Sequence, residues 1–428
     1  MLDPTPPIDA RETRRVLLAS MVGTTIEFYD FYIYATAAVL VFPRLFFPHS
    51  DPAIASLDSL VTFALAFLAR PIGSALFGHF GDRVGRKTTL VTALLTMGIS
   101  TICIGLLPTY ATLGVYAAVL LALCRVGQGV GLGGEWGGAV LLATENAPLG
   151  KHAWFGMFPQ LGAPLGLIFS IAAFLVISDN LSDAQLFSWG WRVPFLASAV
   201  LVVVGLYIRL QLHETPAFKR ALEQGERVRV PMFSVVLKHP LQLVLGALAA
   251  TTTFVVFYLA NVFALGWATT ALGFGRRPFL VMQLIGVLFF GAVIPFTGLI
   301  ADRIGGRNMM IIATLSTLAF GFAFEPLFST HDTAKVLTFL ILGFGLSGLS
   351  YGPLGGALAT MFPTPVRYTG TSLTFNIAGI LGASLAAPLA TWLAKNYGLA
   401  YVGYYLSVAS LITLIALAFV KNEKGGGR

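Results

Sequence analysis

Five charged side chains interrupt stretches of this chain that are otherwise runs of apolar residues. Glu27 and Asp30 lie in Ile26-Glu27-Phe28-Tyr29-Asp30-Phe31-Tyr32, Arg70 lies in Phe67-Leu68-Ala69-Arg70-Pro71-Ile72-Gly73, and Arg125 and Glu135 flank a glycine-rich stretch. Charges in such surroundings are costly and persist where they face a water-filled path or one another. Burial disfavours the ionised form of a carboxylate, and a neighbouring guanidinium favours it. An arginine that leaves a carboxylate for an anionic solute therefore frees that carboxylate to take a proton. On this chemistry Asp30, Glu27 and Glu135 are candidate proton carriers, and Arg125 is a candidate for meeting an anion.

Helical spacing groups these residues. Glu27, Asp30 and Tyr34 follow i, i+3 and i+7 and share one face. Arg125, Gln128 and Glu135 share another, since ten residues make nearly three turns. Rise along two oppositely running helices brings Asp30 and Arg125 to similar depth, so the two are expected to approach across a cavity. Arg70 matches Glu135 in depth, and these two are expected to form a structural ion pair that holds two helices in register. Neutral candidates for the same binding site are Tyr34, Gln128, Gln160, Tyr258, Asn261, Tyr351 and Asn376. Residues of these types also bond one membrane helix to another.

Other patterns carry less chemistry. The run Gly127 to Gly134 resembles a nucleotide loop in composition, but it follows no strand and reads as a surface for close helix packing. The 6 His are scattered without metal-ligand spacing, and Cys103 with Cys124 make no disulfide framework. Neither a metal nor a cofactor is expected. For want of a nucleophile–base constellation, enzyme chemistry is not expected either.

The elements that hold these residues follow from composition. Of 428 residues 56% are hydrophobic and 11% are charged, where a soluble chain carries roughly 25% charged. Twelve apolar runs are each long enough to cross about 30 Å of hydrocarbon: 16–42, 55–80, 88–108, 112–145, 152–178, 191–211, 239–265, 278–301, 308–328, 335–361, 368–393 and 398–420. The chain is therefore read as an all-α integral membrane protein, and the bilayer is its first partner. With the N-terminus inside, most of the 27 Lys and Arg, Arg209 among them, fall on cytoplasmic segments, which places both termini in the cytoplasm. The net charge of +8 is then a topology signal and implies no nucleic acid.

The chain also repeats itself. Gly78-His79-Phe80-Gly81-Asp82-Arg83-Val84-Gly85-Arg86-Lys87 returns in the second half as Gly298-Leu299-Ile300-Ala301-Asp302-Arg303-Ile304-Gly305-Gly306-Arg307. Each copy stands where one apolar run ends and the next begins, as in duplicated membrane architectures. Residues 212–238 are the longest polar segment and read as a cytoplasmic linker. They divide the chain into an N-terminal six-helix bundle (1–211) and a C-terminal one (239–428).

At these residues the chain resembles the major facilitator superfamily. The two charged turns are similar to its loop signature, and Arg125-x-x-Gln128-Gly129 is similar to its fourth-helix motif. Gly133-Gly134-Glu135-Trp136, Trp189-Gly190-Trp191-Arg192-Val193-Pro194-Phe195 and Phe362-Pro363-Thr364-Pro365-Val366-Arg367-Tyr368-Thr369-Gly370 resemble the metabolite:proton symporters. That family includes carriers of shikimate, citrate, 2-oxoglutarate and proline or betaine. The resemblance implies two pseudo-symmetric bundles rocking about a central site. It also implies a cytoplasmic gate: Asp82 would lock the closed face, with Gly78, Arg83 and Arg86 in the first copy, Asp302, Arg303 and Arg307 in the second, and Arg367 as a nearby partner. The second copy departs from the pattern at Gly306 and Asn308, which dilutes its charge.

The resulting expectation is a monomeric, multi-pass protein of a bacterial inner membrane that imports a small carboxylate metabolite together with protons. The alternatives are a carrier of zwitterionic or neutral metabolites, an exporter of the same solutes, and, from a different class, a membrane sensor or scaffold that transports nothing.

Overall fold

The computed structural model describes residues 10–48, 52–81, 86–145, 147–148, 150–210, 231–363 and 366–420. Twelve of its helices are long and apolar enough to cross a membrane. They are numbered here as spans 1 to 12: Arg14–Leu40, Ile54–Phe77, Thr88–Leu106, Val115–Thr144, His152–Asn180, Gly190–Leu210, Pro240–Thr270, Arg276–Ile304, Gly306–Phe328, Thr333–Thr360, Arg367–Asn396 and Leu399–Phe419. Each falls within a few residues of its expected run. Hydrocarbon offers the backbone no hydrogen-bond partners, so segments of this composition satisfy themselves as helices. Among the described residues there is no strand.

The spans form two six-helix bundles facing one another. Large apolar side chains such as Val200, Val203, Leu288, Phe296 and Ile415 point outward and are exposed, the surface that lipid requires and water would penalise. Between the bundles, spans 5 and 8 lie together, and span 2 lies against span 11. The end at which odd-numbered spans begin is called the basal end below. Asp302, at the close of span 8, meets the start of span 5 there. At the opposite end Arg276 approaches Asp183 to 3.3 Å and Arg277 pairs with Asp179.

Two local features bear on the interior. Span 4 is a pair of helices, Val115–Gly133 and Trp136–Glu145, broken at Gly134 and Glu135. Gly73, Gly129 and Gly133 make the seam between spans 2 and 4. A Cβ at Gly129 would strike the Ala66 backbone, one at Gly133 the Arg70 backbone, and one at Gly73 the Val130 backbone. Spans 7 and 11 carry π-helical turns at Leu259–Phe263 and Gly379–Ser384.

Residues 212–230 of the expected linker lie outside the described residues. Its last part, Pro231–Lys238, is a helix whose Val235 packs with Leu243, Phe362, Val366 and Leu373.

Candidate functional site

The glycine seam sets the position of Arg70. Because Gly133 lets the backbone of span 4 lie directly against Arg70, the guanidinium is carried inward rather than toward lipid. It reaches a cavity between the bundles of about 20 Å³, room for roughly one water molecule. Arg70 is the one charged residue among the described lining. The rest is largely aromatic: Phe28 and Tyr32 of span 1, Phe254, Phe257 and Tyr258 of span 7, Phe290, Tyr351 and Phe375, with the hydroxyls of Thr253 and Ser347. Arg70 is 2% exposed. Its guanidinium lies 4.4 Å from the ring centres of both Phe31 and Phe67, but Nε and Nη2 are buried without a hydrogen-bond partner. The expected Arg70–Glu135 ion pair is therefore not formed. A buried donor left unsatisfied costs about 1–3 kcal/mol, more when charged, so this guanidinium is set to receive an acceptor that the protein itself does not supply.

Arg125 differs. It is wholly buried and enclosed by Phe31, Tyr34 and Phe63, whose ring centres lie 4.2, 4.1 and 4.9 Å from it. Its Nη1 donates to Gln128 Oε1 at 2.9 Å, and Gln128 Nε2 donates to Thr101 Oγ1 at 2.8 Å. The Thr101 hydroxyl itself donates to the Met97 carbonyl at 2.9 Å and stands near the Asp30 carboxylate, which accepts from Ser198 Oγ at 2.5 Å. Arg125 and Asp30, expected to approach directly, are instead held apart, with Gln128 and Thr101 between them. Tyr34 is spent on this box, since its hydroxyl donates to Thr62 Oγ1 at 2.8 Å.

The partner of Glu135 is Arg209, close to the end of span 6. One guanidinium nitrogen of Arg209 pairs with both Glu27 and Glu135, while Nη1 donates to the Leu90 carbonyl at 2.5 Å. Sequence reasoning counted Arg209 among the cytoplasmic cations. The expected run 191–211 already contained it, but its last-turn position concealed that the side chain turns inward beside spans 1, 3 and 4, where it is 4% exposed. Among the described residues six charged side chains are buried: Glu27, Asp30, Arg70, Arg125, Glu135 and Arg209. All stand in the first bundle, three of each sign.

Of the neutral candidates, Tyr258 and Tyr351 line the cavity. Gln160 instead accepts from Trp136 Nε1 at 2.8 Å and donates to the Tyr351 carbonyl at 2.9 Å. Asn376 donates to Ser74 Oγ at 2.6 Å and to the Gly133 carbonyl at 3.1 Å. These two residues tie one bundle to the other. Asn261 stays within the second bundle, accepting from Gln283 at 2.8 Å. The break in span 4 frees the Gly134 carbonyl, which accepts from the Tyr368 hydroxyl of span 11, and Trp136 stacks on Phe375 at 3.6 Å. Tyr32, Arg70, Thr253 and Ser347 are lining residues that sequence reasoning did not assign to binding. The glycine spacing beside Arg70 was the available signal.

Asp82 and Arg83 of the expected gate, and the side chains at Gly78 and Arg86, lie outside the described residues. In the second copy, the Asp302 carboxylate accepts from the backbone N–H groups of Ala153 at 2.8 Å and Trp154 at 3.0 Å. These are two of the donors that a helix start leaves unpaired, so span 5 is capped by a residue of the other bundle. Arg303 is exposed. Arg307 donates to the Leu417 carbonyl at 2.7 Å within the second bundle, and Arg367 donates to its neighbour Phe362 at 3.2 Å; neither of these bonds crosses between the bundles.

Comparison with known proteins follows the same outline. A family model described as "Sugar (and other) transporter" matches residues 16–229. The chain is 54% identical to the inner membrane metabolite transport protein YhjE of Escherichia coli K12, over 98% of this chain and 96% of that one. It is 34% identical to the shikimate transporter of the same organism, over 96% and 95%. Among solved structures, the proton:xylose symporter XylE of E. coli matches with a TM-score of 0.73 over 98% of both chains at 17% identity, a likeness of fold.

Proposed function

The chain belongs to the major facilitator superfamily, as one of its metabolite transporters, and on that premise we propose that it imports a small organic acid together with a proton. The observation that carries this reading is Arg70: a buried guanidinium with free donors, facing a cavity between the two bundles. A carboxylate is the acceptor that fits it, since arginine offers a planar fork to two oxygens. The aromatic walls suit a compact hydrocarbon or ring, and Thr253 with Ser347 suit hydroxyl groups on it. The cavity is too small for such a molecule as it stands, so the bundles, 1–211 and 239–428, must part to admit it. That motion is alternating access.

Charge balance supplies the proton. The three buried acids and three buried arginines cancel while the cavity is empty. A monoanion on Arg70 leaves one negative charge in excess within the span, and taking up a proton restores neutrality. Asp30 is the acceptor best placed to report the change. Only Thr101 and Gln128 stand between it and Arg125, and Arg125 shares the Phe31 ring with Arg70. The Asp302 cap and the bonds of Gln160, Asn376 and Tyr368 would hold the basal end shut and break as the bundles rock. In this reading the protein works in the inner membrane, as the name of its relative YhjE supports, with the basal end and both termini in the cytoplasm.

The test is substrate-triggered proton uptake in proteoliposomes, offering dicarboxylates, tricarboxylates, cyclic hydroxy acids, aromatic acids, and betaine or proline. One class of acid should alkalinise the outside, and Arg70→Gln should abolish the response. Uptake of a labelled acid with no proton movement, or a response to betaine but to no acid, would overturn the reading.

A further inference from the structure

A second cavity, of about 30 Å³, lies wholly in the first bundle and shares no lining residue with the central one. Its wall includes Ser20, Gly23 and Thr24 of span 1, Leu90 of span 3, Glu135 of span 4 and Arg209 of span 6. Two carboxylates, Glu27 and Glu135, share the single guanidinium of Arg209 there. Together the three groups carry one excess negative charge. The other buried acid among the described residues, Asp30, stands one turn along span 1 from Glu27 and adds to that excess.

The Ser20 hydroxyl is an independent pointer. It is 7% exposed, lines this cavity, and has no hydrogen-bond partner. Something polar belongs against it, and a space of this size holds one water molecule. A metal cation suits the place poorly, because it would sit against a guanidinium and find few oxygens. A proton needs only a carboxylate oxygen and a water to deliver it.

We propose that Glu27 and Glu135, bridged by Arg209, form a second proton site that exchanges with the basal end through water in this cavity. The step is a plain transfer: a hydronium gives its proton to one carboxylate, leaving a carboxylic acid and a water, and release is the reverse. The site itself stands apart from the substrate reading above. Its part in transport, passing on the proton that Asp30 takes up, rests on that reading.

The test is infrared spectroscopy of the purified, substrate-free protein in lipid, titrated with pH, following the carbonyl stretch of protonated carboxyl groups. A band present in the wild type should persist in Asp30→Asn, shift in Glu27→Gln and in Glu135→Gln, and vanish in the double variant. Ser20→Ala removes only an unpaired hydroxyl and so should keep the fold. It should leave the band in place and slow its hydrogen–deuterium exchange severalfold. Loss of the band in Asp30→Asn, its survival in the double variant, or its absence from the wild type would each overturn the proposal. Proteoliposomes separate the two readings. If the wild type moves protons with an acid and the double variant does so equally well, the second site's part in transport is wrong and the transport reading stands. If the wild type moves none, the transport reading fails whatever the infrared band shows.

Discussion

The two bundles descend from one repeated pattern, yet they have divided their labour. Among the described residues every buried charge is in the first bundle, and the second buries only neutral polar groups such as Thr252, Asn261, Gln283 and Ser347. Among the described residues π-helical turns occur only in the second bundle, at Leu259–Phe263 beside the cavity residue Tyr258 and at Gly379–Ser384 just past Asn376. Such turns disturb the regular backbone ladder and often mark functional sites. Charges in a membrane need fixed partners around them, while a moving wall needs a backbone that can rearrange without uncovering a charge. Among the described residues the first bundle thus holds the buried charges, and the second sets a less regular backbone against them.

Five substitutions put this division to the test. The largest effect is expected from Arg209→Leu, which strands two buried carboxylates. Breaking a buried ion pair costs about 3–5 kcal/mol, so thermal unfolding in lipid should fall well below the wild type, and a small change would mean that the first bundle tolerates loose charge. Next is Arg70→Gln. Losing a charged hydrogen bond of about 1.5–3 kcal/mol should weaken substrate binding roughly tenfold to a hundredfold, by scintillation proximity or calorimetry. Arg125→Gln, away from the cavity, should cost affinity less than Arg70→Gln; the opposite order would return the substrate to Arg125. Asp302→Ala removes a helix cap worth about 0.5–2 kcal/mol and should shift the bundles toward parting at the basal end, read by distances between spin labels on spans 5 and 8. The smallest effect is expected from Asn261→Ala, about 0.5–1.5 kcal/mol for one neutral hydrogen bond, visible as a minor loss of thermal stability. An effect as large as that of Arg209→Leu would erase the contrast between the bundles.

The fold was legible in the sequence because hydrocarbon forces it: runs long enough to cross are helices, and all twelve are. The repeated turn and the family motifs were legible as well. Pairing was harder. Rise along a helix gives depth but not rotation, and a slip of two residues moves a side chain about 3 Å along the axis and more than half a turn around it. Arg70 and Arg125 were exchanged for that reason, with the cavity assigned to the enclosed arginine. Arg209 was missed because a cation in the last turn of an apolar run looks the same whether it is solvated or folded inward. Gly129 and Gly133 held the missing information: their spacing marks a seam, and the residue whose backbone fills that seam is Arg70.

The contact made by Asp302 has an evolutionary side. It fastens the bundles by gripping backbone N–H groups of residues 153 and 154, so its receiving half is not encoded by any side chain. Any residue but proline at 153 or 154 would still present its N–H, although Ala153 is itself held small by its packing against Ala301 and Met309. The only side chain in the two hydrogen bonds of this latch is therefore the one at position 302. A lineage, or an engineer, could retune how readily the basal end opens through that one codon.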